Sequence, residues 1–169
     1  MNRVIRLLLL SVGISVFPAL AAPQQAEYLL QDLRGQHHTS LATLPGNTVA
    51  VMFFKPDCPW CHKQAKALDK LHQQCAFIHP VALGVNGNKL ALKKALFNLQ
   101  FPYPGYMAPR NLIADLGGIP ATPITLLLQQ GNVIAAFRGF TPAETLAEQL
   151  ACNHEHPGAL PRQHHQHHG

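Results

Sequence analysis

One stretch constrains this chain more than any other: Lys55-Pro56-Asp57-Cys58-Pro59-Trp60-Cys61-His62-Lys63. Directly before it runs Thr-Val-Ala-Val-Met-Phe-Phe at 48–54, rich in β-branched and aromatic types. A short apolar run of that kind fits a buried strand. Directly after it, residues 63–74 place Ala67, Leu68 and Leu71 at helical spacing among charged residues. The expected order is strand, tight turn, Cys-x-x-Cys, helix. Two cysteines separated by two residues at a helix start can close a small disulfide ring. Cys58 would face the unpaired amides and the positive end of the helix dipole. A thiolate is favoured there, so its pKa should fall below that of a free thiol. Cys61 lies one turn in and is more shielded. The residues point to a redox pair in which Cys58 attacks and Cys61 resolves. Half of a zinc site and a purely structural disulfide are the alternatives. Zinc would need two more ligands at suitable spacing, and the chain has no second Cys-x-x-Cys.

The first residues bear on the compartment. Arg3 and Arg6 precede a mostly apolar run at 7–20, and Ala19-Leu20-Ala21 fits a small-x-small cleavage site. This reads as a secretory signal peptide over residues 1–21. The apolar run is short for a membrane span, which needs about 20 residues. An uncleaved anchor is the alternative. No cysteine lies near the cleavage site, so lipid attachment is not indicated. An exported chain with a cysteine pair implies an oxidising compartment such as a periplasm. The formal charge of +5 includes Arg3 and Arg6 of the leader. What remains is too mild and too scattered to argue for nucleic acid. With 47% hydrophobic and 12% charged residues, the 169-residue chain can bury one real core.

In order, residues 27–33 can form a short strand, Arg34-Gly35-Gln36 a turn, and 37–44 a return strand. Residues 75–83 read as a strand interrupted by Pro80, which suggests a bulge or an edge. Residues 89–99 hold Leu90, Leu92, Leu96, Leu99 and three lysines, as in an amphipathic surface helix. Residues 101–109 contain three prolines and are expected to be irregular. A short helix at 110–116 should end at Gly117-Gly118. Residues 124–128 and 133–137 read as a hairpin across Gln129-Gln130-Gly131-Asn132. Residues 142–150 read as a final helix with Thr141 as its cap. The alternation implies an α/β fold, a mixed central sheet with helices on both faces and an N-terminal β-hairpin extension. The folded domain is expected over 22–152.

Residues 153–169 change character. They hold six histidines, His154, His156, His164, His165, His167 and His168, with two prolines and two glycines. Such a segment cannot bury a core and reads as a disordered tail. His164, His165, His167 and His168 are candidates for a weak divalent-metal site without fixed geometry. A solvated tail or a cloning remnant is the alternative, and the broken His-His-Gln-His-His pattern argues against a purification tag.

The chain resembles the thioredoxin superfamily, specifically its exported TlpA/DsbE-like branch, over residues 27–151. Four features carry the resemblance. They are Tyr28-Leu-Leu-Gln-Asp-Leu-Arg-Gly35 followed by Ser40-Leu-Ala-Thr-Leu-Pro-Gly46, the strand running into Cys58-Pro-Trp-Cys61, Gly118-Ile-Pro-Ala-Thr-Pro-Ile-Thr-Leu126, and Gly131-Asn-Val-Ile-Ala-Ala-Phe-Arg-Gly139. The resemblance implies a cis Thr122–Pro123 bond against the cysteine pair. The Thr122 backbone would pair with an extended substrate segment, and Gly139 would lie near the same surface. Trp60 would offer apolar surface for docking. In the implied topology the helix after Cys61 and the last helix run away from the site on one face. Cys75 and Cys152 would then meet at the opposite pole in a structural disulfide. The chain departs from the cytoplasmic thioredoxins at Met52, where those proteins carry a buried Asp. The direction of electron flow therefore stays open.

The function implied is periplasmic thiol–disulfide exchange with cysteine-containing exported clients, as a reductase fed by a membrane electron donor of the DsbD type. No cofactor is expected beyond the Cys58–Cys61 disulfide itself. Lys55 and His62 could support a thiolate, and Asp57 would oppose it; all three also fit solvated loop charges. The competing reading is a periplasmic copper- or zinc-handling protein using the cysteine pair and the His-rich tail. A peroxidase is a third, disfavoured by the absence of a Thr/Arg-rich surround at Cys58.

Overall fold

A computed structural model describes residues 28–44 and 46–152. Residues 1–27, which include the expected leader at 1–21, Pro45, and residues 153–169 with His164, His165, His167 and His168 lie outside the described residues. A seven-stranded mixed sheet forms the centre, in the order β2-β1-β5-β4-β3-β6-β7. Strands β1 (Leu29–Asp32) and β2 (His38–Ser40) make the N-terminal hairpin. A single 3-10 turn, Leu41–Thr43, follows. Then come β3 (Thr48–Phe54), α1 (Pro59–Gln74), β4 (Ile78–Gly84), α2 (Lys89–Asn98), β5 (Gly105–Met107) and α3 (Arg110–Asp115). The hairpin β6 (Ile124–Gln129) and β7 (Asn132–Arg138) precedes α4 (Ala143–Gln149). This is the expected α/β architecture with its hairpin extension. Among the described residues no helix is long and apolar enough to cross a membrane.

Strand β3 is buried along its whole length because both faces are covered. Ala50, Met52 and Phe54 face a core built with α1, α2 and α4, including Leu68, Leu71, Leu92, Leu96 and Leu146. Val49, Val51 and Phe53 face a second core with Val81, Leu83, Leu126 and Leu112 of α3. Parallel β4 on one side and antiparallel β6 on the other saturate the β3 backbone. Alternate residues thus feed two hydrophobic layers, as a strand's two-residue period requires.

Five local expectations are corrected. Helix α1 begins at Pro59 rather than 63, since a proline at the first helical position loses no hydrogen bond. Pro80 does not mark an edge: β4 lies between β3 and β5. Its neighbour β5 pairs only with Ala82–Gly84, so the amide that Pro80 lacks points past that strand's end. Residues 105–107 form a strand after all, because β1 and β4 both offer it free backbone groups. Gly105 is needed there, since a Cβ would come within 2.3 Å of Leu96 Cδ2. Leu90 does not join the core; it is 77% exposed on the outer face of α2.

Thr141 is not a helix cap. Pro142 takes the cap position of α4, and Thr141 is buried. Its amide donates to Gln64 Oε1 at 2.7 Å, and Gln64 Nε2 donates back to its carbonyl at 3.2 Å. One fully buried amide side chain thereby ties α1 to the start of α4. At the other pole Cys75, just past α1, is bonded to Cys152, with Cα atoms 6.0 Å apart and a sequence separation of 77. In the chain-entropy account a loop of that length contributes at most about 4–5 kcal/mol.

Replacing Gln64 by Leu leaves the buried Thr141 amide and carbonyl unpaired, and should cost about 2–4 kcal/mol in urea unfolding. Tyr103 gives a pH-dependent test. Partial burial and a 2.6 Å hydrogen bond to Asp69 Oδ1 raise its phenol pKa above the usual value of 10.0. The folded state holds that proton more tightly, so the contribution is complete below pH 10 and declines as pH rises further. The stability gap between wild type and Tyr103→Phe should narrow above about pH 10.

Candidate active site

The site forms where β3 ends and α1 begins. Lys55, Pro56 and Asp57 make the turn, with Asp57 in the left-handed region at φ 54°. Cys58 occupies the helix cap position and Pro59 the first helical position. No side chain caps this terminus, and no acidic residue lies in its first turn. The unpaired helix amides and dipole therefore act on the Cys58 sulfur without competition from a carboxylate in that turn. Cys58 is bonded to Cys61, with Cα atoms 5.3 Å apart, and the Cys61 amide donates to the Cys58 carbonyl at 3.1 Å. The two sulfurs differ in access. Cys58 is 8% exposed and Cys61 not at all. Met52 packs in the same apolar cluster as the pair.

The loop before β6 closes the site from the other side. Thr122 Oγ1 donates to Cys58 Sγ at 3.3 Å, and the Thr122 carbonyl oxygen lies 3.6 Å from the same sulfur. The Thr122–Pro123 bond is cis, and Pro123 is buried. Gly139 donates its amide to the Pro123 carbonyl at 2.8 Å. Its φ of 79° is one that a side chain resists, so glycine is required to turn the chain here. Trp60 is 54% exposed, with Lys63 Nζ 4.2 Å from its ring centroid. Phe140, 40% exposed, lies 6.4 Å from Trp60 between centroids. The two rings form an apolar platform beside the sulfur pair.

The structure thus brings Cys58, Cys61, Trp60, Thr122 and Pro123 together, and sets Cys75 and Cys152 apart at the far end of α1. Sequence reasoning missed Phe140. The signal for it was present: it directly follows Gly139, which the resemblance had placed at this surface. Lys55, Asp57 and His62 all line a cavity against Cys58. Among the described residues no group of three or more His, Cys, Asp or Glu side chains is placed to hold a metal ion.

A family model described as a thioredoxin-like domain matches residues 36–152. The chain belongs to the thioredoxin-like family. No curated protein matches it. Its fold is shared with several solved thioredoxin-like structures. StoA from Bacillus subtilis is 18% identical, with a TM-score of 0.59, covering 74% of this chain and 96% of that one. A thiol:disulfide interchange protein of the thioredoxin family from Chlorobium tepidum is 24% identical, with a TM-score of 0.61 and coverage of 78% and 96%. A secreted Mycobacterium tuberculosis disulfide oxidoreductase homologous to DsbE is 15% identical, with a TM-score of 0.60 and coverage of 74% and 95%. At these identities the likeness is one of fold.

In this thioredoxin-like frame, Thr125 pairs in register with Met52 and shares its face of the sheet. Its buried hydroxyl has no hydrogen-bond partner among the described residues. The layer under the cysteine pair is therefore apolar at Met52 and carries one unsatisfied hydroxyl beside it. Thr122 is the side chain that bonds the outer sulfur directly. A hydroxyl donated to sulfur stabilises the thiolate over the thiol. Thr122→Val should raise the pH at which Cys58 ionises in the reduced protein by about one unit, read by thiolate ultraviolet absorbance.

Proposed function

We propose that this protein is an exported thiol–disulfide oxidoreductase. Cys58 attacks the disulfide of a cysteine-containing client, and Cys61 resolves the mixed disulfide. The asymmetry of the pair carries this reading. Cys58 at the helix N-terminus keeps a slight exposure and lines a cavity under a donated hydroxyl, while Cys61 is fully buried. The Trp60–Phe140 platform and the Thr122–Pro123 turn would hold the client segment. The free backbone of such a turn can pair with an extended chain as an added strand. Cys75–Cys152 serves as a structural clamp, remote from the exchange site. The leader at 1–21 would direct the chain to a periplasm, where disulfides persist.

The protein acts here as a reductase, drawing electrons from a membrane donor of the DsbD type. The step is balanced by the two thiols. The Cys58 thiolate breaks the client S–S bond and forms a mixed disulfide. The Cys61 thiolate then displaces the client's second sulfur and leaves Cys58–Cys61 oxidised. Two electrons and two protons pass to the client.

Cys58→Ser should abolish reduction of a disulfide substrate, while Cys61→Ser should accumulate a covalent complex seen as a dithiothreitol-sensitive band on non-reducing gels. No complex with Cys61→Ser and undiminished turnover with Cys58→Ser would remove the proposal. Equilibration of the pair with glutathione tests the direction. A potential near −270 mV fits a reductase, and one near −120 mV would make the protein a disulfide donor instead (both values approximate).

A further inference from the structure

A cavity of about 250 Å³ opens directly against Cys58, between the β3–α1 turn and α2. Ala91 of α2 and Leu99 just past it give the cavity apolar wall, while Lys55, Lys94 and His62 bring nitrogen groups and Asp57 a single carboxylate. The surroundings lean the same way. Helix α2 carries Lys89, Lys93 and Lys94 and no acidic residue. The first two turns of α1 carry Lys63 and Lys66 and none either.

Asp57 is the one acidic residue that lines this cavity, and several of the others have partners of their own. Asp32 accepts from the Arg34 amide, Asp69 from Tyr103 and Gln73, and Asp115 from Tyr28. Glu144 pairs with Lys70 in the one salt bridge among the described residues. Lys55 and Lys94 make no salt bridge among the described residues, and two lysines outnumber Asp57 at the cavity. A concave site with one excess sign of charge concentrates the opposite sign and repels its own.

We propose that this cavity receives an acidic side chain of the client, so that the protein selects disulfides flanked by Asp or Glu. The inference rests on the exchange reading above and names the substrate class at the same site. The carboxylate would sit between Lys55 and Lys94 with its aliphatic stem against Ala91 and Leu99. That contact would hold the neighbouring client sulfur beside Cys58. The chemistry is unchanged: the protein dithiol becomes a disulfide and the client disulfide becomes a dithiol.

The test uses pre-reduced full-length protein and two synthetic peptides, each closed by one internal disulfide. They differ only in bearing glutamates or lysines next to the cysteines. Single-turnover reactions are acid-quenched and alkylated, and the oxidised protein is read by mass. At low salt the acidic peptide should react about tenfold faster. The difference should largely vanish at about 1 M salt, where the screening length falls to roughly 3 Å. Lys94→Glu should reverse the preference, read as the ratio of the two peptides' rates within each protein, so that any change in the reactivity of the pair itself cancels. Equal rates for the two peptides at low salt, or a preference that survives Lys94→Glu, would overturn the inference and leave the exchange reading intact. Reaction of neither peptide would overturn the exchange reading, and this inference with it.

Discussion

The unpaired amides at the start of α1 are what the rest of the site depends on. A helix that begins with Cys58 at its cap and Pro59 in its first turn presents donors and a positive dipole end to one sulfur. That field is useful only if the helix cannot shift. Strand β3 is locked between β4 and β6, and α1 is pinned to it through Leu68 and Leu71 in a fully buried layer. Gln64 and the Cys75–Cys152 bond tie the same helix to the two ends of α4. The sulfur is placed by elements held on several sides.

The two sulfurs are made unequal by what lies above and below them. Above Cys58, the Thr122 hydroxyl donates to sulfur while the Thr122 carbonyl turns a negative end toward it. The first favours the thiolate, and the second favours the thiol as a donor. Below, Met52 offers no polar partner to Cys61. Charge on Cys61 is penalised by burial, so negative charge during exchange is best carried by Cys58. The Trp60 and Phe140 rings lie beside the pair, and Lys94 of α2 lines the cavity against Cys58.

Much of the fold was legible in the residues. β3 spans the expected 48–54 because a threonine and six apolar residues, bounded by Asn47 and Lys55, fit nothing else in so short a stretch. The β6–β7 hairpin was legible in Gln130-Gly131, both of which adopt positive φ as a tight two-residue turn requires. Errors fell where a neighbour decides the conformation. Pro102 and Pro104 made 101–109 look irregular, yet β5 exists because two strands leave it a slot. Pro80 looked like an edge residue, and its tolerance depends on how far β5 extends. The Thr141 hydroxyl looked like a helix cap, but a buried glutamine one helix away holds its backbone instead.

By itself the sequence determined the local arrangement: a Cys-Pro-Trp-Cys pair at a strand-to-helix junction, with the first cysteine at the helix start. Adjacent residues settle this, because helix starts, turns and strand burial follow from short-range geometry and hydrophobic period. Only the tertiary structure decided what surrounds that sulfur. Thr122 lies 64 residues away from Cys58 in the chain and bonds it, and Phe140 stacks beside Trp60. Lys94 arrives from α2 on the other side. These groups meet because the sheet order places β6 and α2 around the end of β3, and no local pattern encodes that order.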